Sequence, residues 1–315
     1  MSSSASENQP QLRVCDLTRA GLIRVSGADA RAFLHGQLSC EVNALAPDRS
    51  TYGAYCTAKG RVLASFLLWR SGEDFFLQLP LPLVEPIRKR LAAYVLRSKV
   101  TLADASADWT CIGIAGAAAE LVQHAAGRGP RAIHEVAIVP DAMVLRLPPD
   151  RYEIVATRKK APAIVEALTH GARSLDPEYW EWLEIRAGIP VITTATQEEF
   201  VPQMVNLDLI GGVSFTKGCY PGQEIVARTH HLGRVKQRMY LAHVAGEERP
   251  GPGDKLYSPD LGEQASGTIV NAARAPDGGH DVLAVIQIAS AESGNVHWKA
   301  LDGPVLQRQL LPYPL

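Results

Sequence analysis

The chain has 315 residues, 46% of them apolar and 21% charged, with a formal net charge of −1. That length predicts two or three compact units with substantial cores, and the near-neutral balance argues against a protein that coats nucleic acid. No apolar run approaches the roughly 18 residues a membrane span requires, and the polar start lacks the layout of a secretory leader, so a cytoplasmic protein without membrane attachment is expected, disordered over residues 1–11.

Leu22–Val25 alternates as a strand and ends at Ser26-Gly27. Ser26 and Asp29 are spaced as a capping box with Asp in place of Glu, and predict a helix through Leu38. Thr51–Cys56 and Arg61–Trp69 are strand-like runs joined across Lys59-Gly60, and Phe75–Leu79 continues the sheet. Leu83, Val84, Ile87, Leu91, Tyr94 and Val95 recur at helical spacing. Lys99–Leu102 and Cys111–Ile114 read as strands, followed by a helix near Ala118–Ala126. Met143–Leu147 pairs with Tyr152–Ala156 across Pro148-Pro149-Asp150, and helices follow at Ala161–His170 and Pro177–Ala187. Strands and helices interleave without regular alternation, which predicts an α+β body. Beyond Arg238 the chain turns to short strands broken by Gly251-Pro252-Gly253 and Pro276-Asp277-Gly278-Gly279, the pattern of a small β-barrel. The expected division is a body over 12–236 made of two subdomains, one near 48–105, and a C-terminal barrel over 237–315.

The five cysteines (Cys15, Cys40, Cys56, Cys111, Cys219) include no Cys-x-x-Cys pair, so neither a redox dithiol nor a zinc ribbon is encoded, and no metal site is expected. Nucleotide and zinc-hydrolase fingerprints are also missing.

Chemistry concentrates in Lys217-Gly218-Cys219-Tyr220-Pro221-Gly222-Gln223-Glu224. Pro221 suits the first position of a helix, Gln223 and Glu224 its first turn, and Ile225, Val226 and Thr229 a buried stripe behind them. Cys219 then lies just before a helix N-terminus and two residues from Lys217. Both influences favour thiolate, which makes it the candidate reactive thiol. Between Lys217 and Arg238 the bases Arg228, Arg234 and Lys236 face Glu224 as the sole acid, a local excess suited to an anion or RNA phosphates.

Extended backwards, the motif joins Phe200-Val201-Pro202-Gln203-Met204-Val205-Asn206-Leu207-Asp208, Gly211–Phe215, Trp180, Glu184–Pro190 and Lys59-Gly60-Arg61. Together these resemble the YgfZ family, relatives of the glycine-cleavage aminomethyltransferase, or T-protein. The resemblance implies a T-protein-like α+β ring, with two ferredoxin-like units and a small C-terminal β-barrel around a channel. It implies an accessory factor that binds tetrahydrofolate or a derivative and supports iron–sulfur cluster assembly or repair in client proteins, tRNA-modifying enzymes among them. Cys219 becomes its functional thiol, and Trp180, Arg186, Asn206, Lys217, Tyr220, Gln223 and Glu224 become cofactor-binding positions, with Lys217 meeting the folate carboxylate tail.

Two positions depart from the transferase. Its paired acids align with Ala64 and Ser65, which hold no charge, and its pterin-contacting glutamate aligns with Arg186, which accepts no hydrogen bond. Aminomethyl transfer loses its base; a folate-dependent transferase and a non-enzymatic tRNA-binding or scaffold module stand as alternatives. The Trp180 indole is suited to stack on a pterin, although Trp182 two residues later leaves a plain core role open for one of the pair. Asn206 suits a turn as well as a ligand contact.

Overall fold

A computed structural model describes residues 13–116, 118–169, 173–174, 176–231, 233 and 235–315. The expected disordered start lies outside them. Three sheets organise the chain. The first has five antiparallel strands in the order Ser50–Cys56, Val62–Ser71, Asp74–Pro80, Ala20–Ser26, Thr101–Asp104. It therefore takes in Ala20–Ser26, upstream of the expected 48–105 subdomain. Helices α1 (Ala30–Gln37) and α2 (Leu81–Ala92) cover one face, where Leu34, Leu83, Val84, Ile87 and Leu91 pack on Tyr55, Leu68, Phe75 and Leu77. Helix α2 stops before Tyr94 and Val95, and Tyr94 is exposed. The expected capping box at the start of α1 does not form: Asp29 instead accepts from the Lys99 backbone N–H at 2.7 Å, tying the helix start to the far end of the sheet.

The second sheet runs Arg173–Ser174, Arg13–Asp16, Trp109–Ala115, Arg151–Thr157, Ala142–Leu147, Val136–Val139, antiparallel except where the first two strands pair in parallel. Strand alternation sorts its residues between two environments. Ile112, Ile114, Tyr152, Ile154 and Ala156 pack beneath α3 (Ala119–Ala126) and α4 (Ala161–Thr169). Cys111 and Val155 face the opposite way, into a core shared with the first sheet. Arg151 and Glu153 share that inner face by strand parity.

Helix α5 (Pro177–Arg186) begins with Asp176 accepting from the Glu178 N–H at 2.9 Å and Pro177 in the first turn. It crosses that inner core and packs on the third sheet. Helix α6 (Gln223–His231) follows the sequence motif. The third sheet has six strands, in the order His297–Trp298, Lys255–Tyr257, Ala265–Arg274, His280–Gln287, Gln237–Val244, Leu306–Gln309, with α7 (Ile288–Ser293) beside it. It curls into a half-barrel whose edges are bridged at His297–Val305, in keeping with the small β-barrel expected of the C-terminal segment. Leu306 N–H to Val296 C=O (2.8 Å) reinforces that seam.

Candidate functional site

A cavity of about 830 Å³ opens where the three sheets and α5 converge. Tyr52, Ser65 and Gln78 come from the first sheet, Arg151 and Glu153 from the second, Trp180 and Glu184 from α5, and Asn271 from the third.

Trp180 is 4% exposed, and its indole fits because residue 113 is glycine: a Cβ there would lie 2.7 Å from the Trp180 Cε3. The Arg151 guanidinium carbon lies 4.4 Å from the centre of the Trp180 ring, within cation–π range. The Arg151 Nε–H donates to the Pro148 carbonyl at 2.9 Å, but both terminal nitrogens are buried without a hydrogen-bond partner. Leaving charged donors unmatched inside a protein costs free energy, so a preformed fork of this kind is suited to receive an acceptor.

Two carboxyls stand near it. Glu153 is 2% exposed and accepts from the Gln78 side-chain amide. Burial pushes its carboxyl up to about 7, with the negative charge of Glu184 adding to the rise. Burial also raises Glu184, against the opposing pull of Arg151 and a hydrogen bond from Trp180. The cavity thus joins an aromatic face, a donor fork and two carboxyls, one of which changes charge near neutral pH. This donor set fits a planar, nitrogen-rich ring of the pterin type, whose N–H edge needs acceptors and whose carbonyl edge needs donors.

Ser65 lies in the cavity wall, yet its hydroxyl donates to the Pro190 carbonyl at 2.8 Å and accepts from the Ile192 N–H at 3.0 Å. Ala64 points away, into the core beneath α1 and α2. No acid stands at either position.

Arg186 lies apart from the lining of the cavity. It pairs with Asp281 of the third sheet at 3.5 Å and bonds the Gln309 side chain. Glu184, two residues earlier, faces the cavity instead. Trp182 donates to the same Asp281 at 2.8 Å, so the two α5 tryptophans divide: one on the cavity, one on the third sheet. Asn206, in the left-handed region at φ +57°, donates to the Met239 carbonyl at 2.7 Å and accepts from its N–H. It clamps the loop before the motif to the third sheet.

The motif also sits away from the cavity lining. The Lys217 ammonium is 8% exposed and donates to the carbonyls of His35, Leu38 and Cys40 at 2.6, 2.7 and 2.8 Å. Those carbonyls belong to the end of α1 and the turn after it, where helical carbonyls lack intrahelical donors. Lys217 is therefore a strut, not the expected partner of a carboxylate tail. Burial lowers its ammonium from the usual lysine range. The Tyr220 ring is buried beneath Lys217, 5.3 Å from the ammonium, and burial raises its hydroxyl. Gln223 donates to the Lys217 carbonyl at 3.3 Å, closing the loop on itself.

Helix α6 starts at Gln223, later than Pro221, because Gly222 adopts φ +82°. Val226 is fully buried, while Ile225 is 38% exposed and Thr229 half-buried, narrowing the expected stripe to one residue. The loop leaves Cys219 exposed and the other four cysteines buried. Glu224, Arg228 and Lys236 are exposed, and Arg234 lies outside the described residues.

Arg151, Glu153 and Glu184 escaped the sequence reading. The run Arg151-Tyr152-Glu153-Ile154-Val155 carried the signal, since two charges on one face of a strand whose other face is apolar are costly unless used.

Residues 5–128 match the family model described as the GCVT N-terminal domain. The whole chain is similar to curated relatives named tRNA-modifying protein YgfZ. One, from Colwellia psychrerythraea, is 32% identical over 97% of this chain and 94% of its own length. Another, from Yersinia pseudotuberculosis, is 33% identical over 96% of this chain and 93% of its own. The crystal structure of glycine cleavage system aminomethyltransferase T from Bartonella henselae superposes with a TM-score of 0.76 over 96% of this chain and 86% of that one, at 15% identity, so the fold is shared. Similarity to the YgfZ proteins over nearly the full length of both chains places this protein in the YgfZ family.

Proposed function

We propose that the protein is a folate-binding factor that supports tRNA modification by serving iron–sulfur enzymes. One observation carries the reading: the cavity at the meeting point of the three sheets combines Trp180, the unpartnered fork of Arg151 and the carboxyls of Glu153 and Glu184. Trp180 would support the pterin face, and the three polar side chains would hold its edges. A bound reduced folate supplies nucleophilic ring nitrogens able to carry a one-carbon unit. The chain's own part is to bind, orient and shield that ring, and Glu153 can take or release a proton at its carboxylate. Aminomethyl transfer of the T-protein kind is disfavoured, since Ser65 is committed to two backbone groups and Ala64 is turned away.

Cys219 stands exposed on a braced loop. That placement suits contact with a second protein better than chemistry in the cavity. The exposed bases Arg228 and Lys236 near the motif favour an additional phosphate contact, as on tRNA, which would weaken steeply with salt.

The test is calorimetric titration with tetrahydrofolate, paired with tRNA methylthiolation measured in a strain lacking the gene. Saturable binding that weakens in Trp180→Ala, with rescue by the native chain and not by Cys219→Ala, is the expected result. Absence of tetrahydrofolate binding removes the folate assignment; full rescue by Cys219→Ala removes the thiol from the mechanism.

A further inference from the structure

Arg151 offers more than charge. Its Nε–H is anchored on the Pro148 carbonyl and its guanidinium carbon lies 4.4 Å over the Trp180 ring, two contacts that hold the fork in place before any ligand arrives. Both nitrogens are buried and unpartnered. Glu153 and Glu184 are close enough for their carboxyls to feel its charge, yet neither hydrogen-bonds the fork. A ligand carboxylate on Arg151 would meet these two acids as like charges. A neutral ring with acceptors on one edge and N–H donors on another meets no such penalty and satisfies all three side chains.

Building on the folate reading above, we propose that Arg151 is a specificity residue: it donates to the carbonyl edge of a 2-amino-4-oxo ring, while Glu153 and Glu184 receive the amino edge. An arginine fork reads the carbonyl-and-nitrogen edge of guanine by the same pairing. The ring then has one orientation, with its carbonyl towards the Arg151 fork and its amino group towards the carboxyls of Glu153 and Glu184. Replacing the carbonyl by an amino group sets donor against donor at Arg151.

The experiment measures affinity for folic acid and for its 4-amino analogue in native protein and in Arg151→Met. Loss of the fork is expected to reduce the oxo-to-amino affinity ratio by about tenfold or more, the discrimination a matched buried hydrogen-bonding site supplies. Arg151→Lys keeps the charge without the planar fork, and is expected to lose most of the ratio too. Should both variants unfold, the side-chain nitrogen resonances of Arg151 in native protein decide: they shift with folic acid and stay in place with the analogue. An unchanged ratio in a folded variant, or equal shifts with both ligands, overturns the proposal while leaving folate binding intact. If native protein binds neither tetrahydrofolate nor folic acid, the folate reading itself falls, and this assignment with it.

Discussion

Gly60 and Gly222 meet backbone to backbone, and that contact seats the motif loop on the hairpin of the first sheet. A Cβ on Gly222 would lie 2.6 Å from the Gly60 Cα and 2.4 Å from the Thr57 carbonyl oxygen, and both glycines have positive φ. A side chain on Gly222 would have to push two backbones apart, whereas a Cβ on Gly60 would meet Ile225 at 3.1 Å and the Gly222 carbonyl oxygen at 3.2 Å. Gly222→Ala combines this clash with left-handed strain and is expected to cost about 2 kcal/mol or more. Denaturant unfolding reads the loss, and an unaltered midpoint would show that the loop is not seated this way.

Lys217 is expected to matter for stability as much as for chemistry. Lys217→Met strips three carbonyls at the end of α1 of their donor, a change worth about 2–4 kcal/mol. Lys217→Arg should not restore it, because a planar fork cannot reproduce three bonds that radiate from an ammonium. Urea unfolding of the two variants, compared with an exposed control such as Lys236→Met, tests this.

Glu153 sets a pH dependence. Its folded carboxyl titrates near 7, against 4.5 for the unperturbed group, so the folded protein retains a proton that the unfolded chain has released between those values. Stability contributed at this site therefore falls as pH rises from about 4.5 through 7, by up to about 3 kcal/mol. Glu153→Gln mimics the protonated form and should be progressively more stable than native protein across that window. Unfolding curves at pH 5 and pH 8 check the sign; a gain larger at pH 5 refutes it.

Thiol accessibility gives a direct reading of the motif loop. A maleimide reagent is expected to modify the folded protein once, at Cys219, and all five cysteines after denaturation. Cys219→Ser should leave no site in the folded state, as intact-mass spectrometry would record. A second fast-reacting thiol would mean that the packing around Cys15, Cys40, Cys56 or Cys111 opens readily.

Strand-like runs and helix periodicity carried most of the architecture, because β-prone runs such as Thr51–Cys56, buried nearly throughout, and the helical spacing from Leu83 to Leu91 report burial directly. The short strands Val136–Val139 and Lys255–Tyr257 escaped, since so few residues hold no period. Of the cofactor-binding positions expected from the sequence, Trp180 is the one that lines the cavity. Trp180 was placed by its indole, but the polar lining comes from strands far apart in sequence, and nothing local reveals that Arg151 and Glu184 approach one another. The motif reads differently in sequence and in space. Lysine, tyrosine and glutamine in a dense cluster resemble ligand chemistry, whereas in three dimensions Lys217, Tyr220 and Gln223 brace the loop that exposes one thiol.

The chain leaves the six-stranded sheet of the body after Asp16, enters the five-stranded one at Ala20, and returns only at Trp109. One sheet is thus an insertion within the other, and no single cut separates them. During synthesis the inserted sheet is complete once residue 104 has emerged, while the strand at Arg13–Asp16 still waits for its antiparallel neighbour. The cavity comes later still, because Pro250, Pro252 and Asn271 form part of its wall. A nascent chain can thus fold its first layer long before it can hold a ligand, and a truncation ahead of Asn271 would leave the cavity without one of its walls.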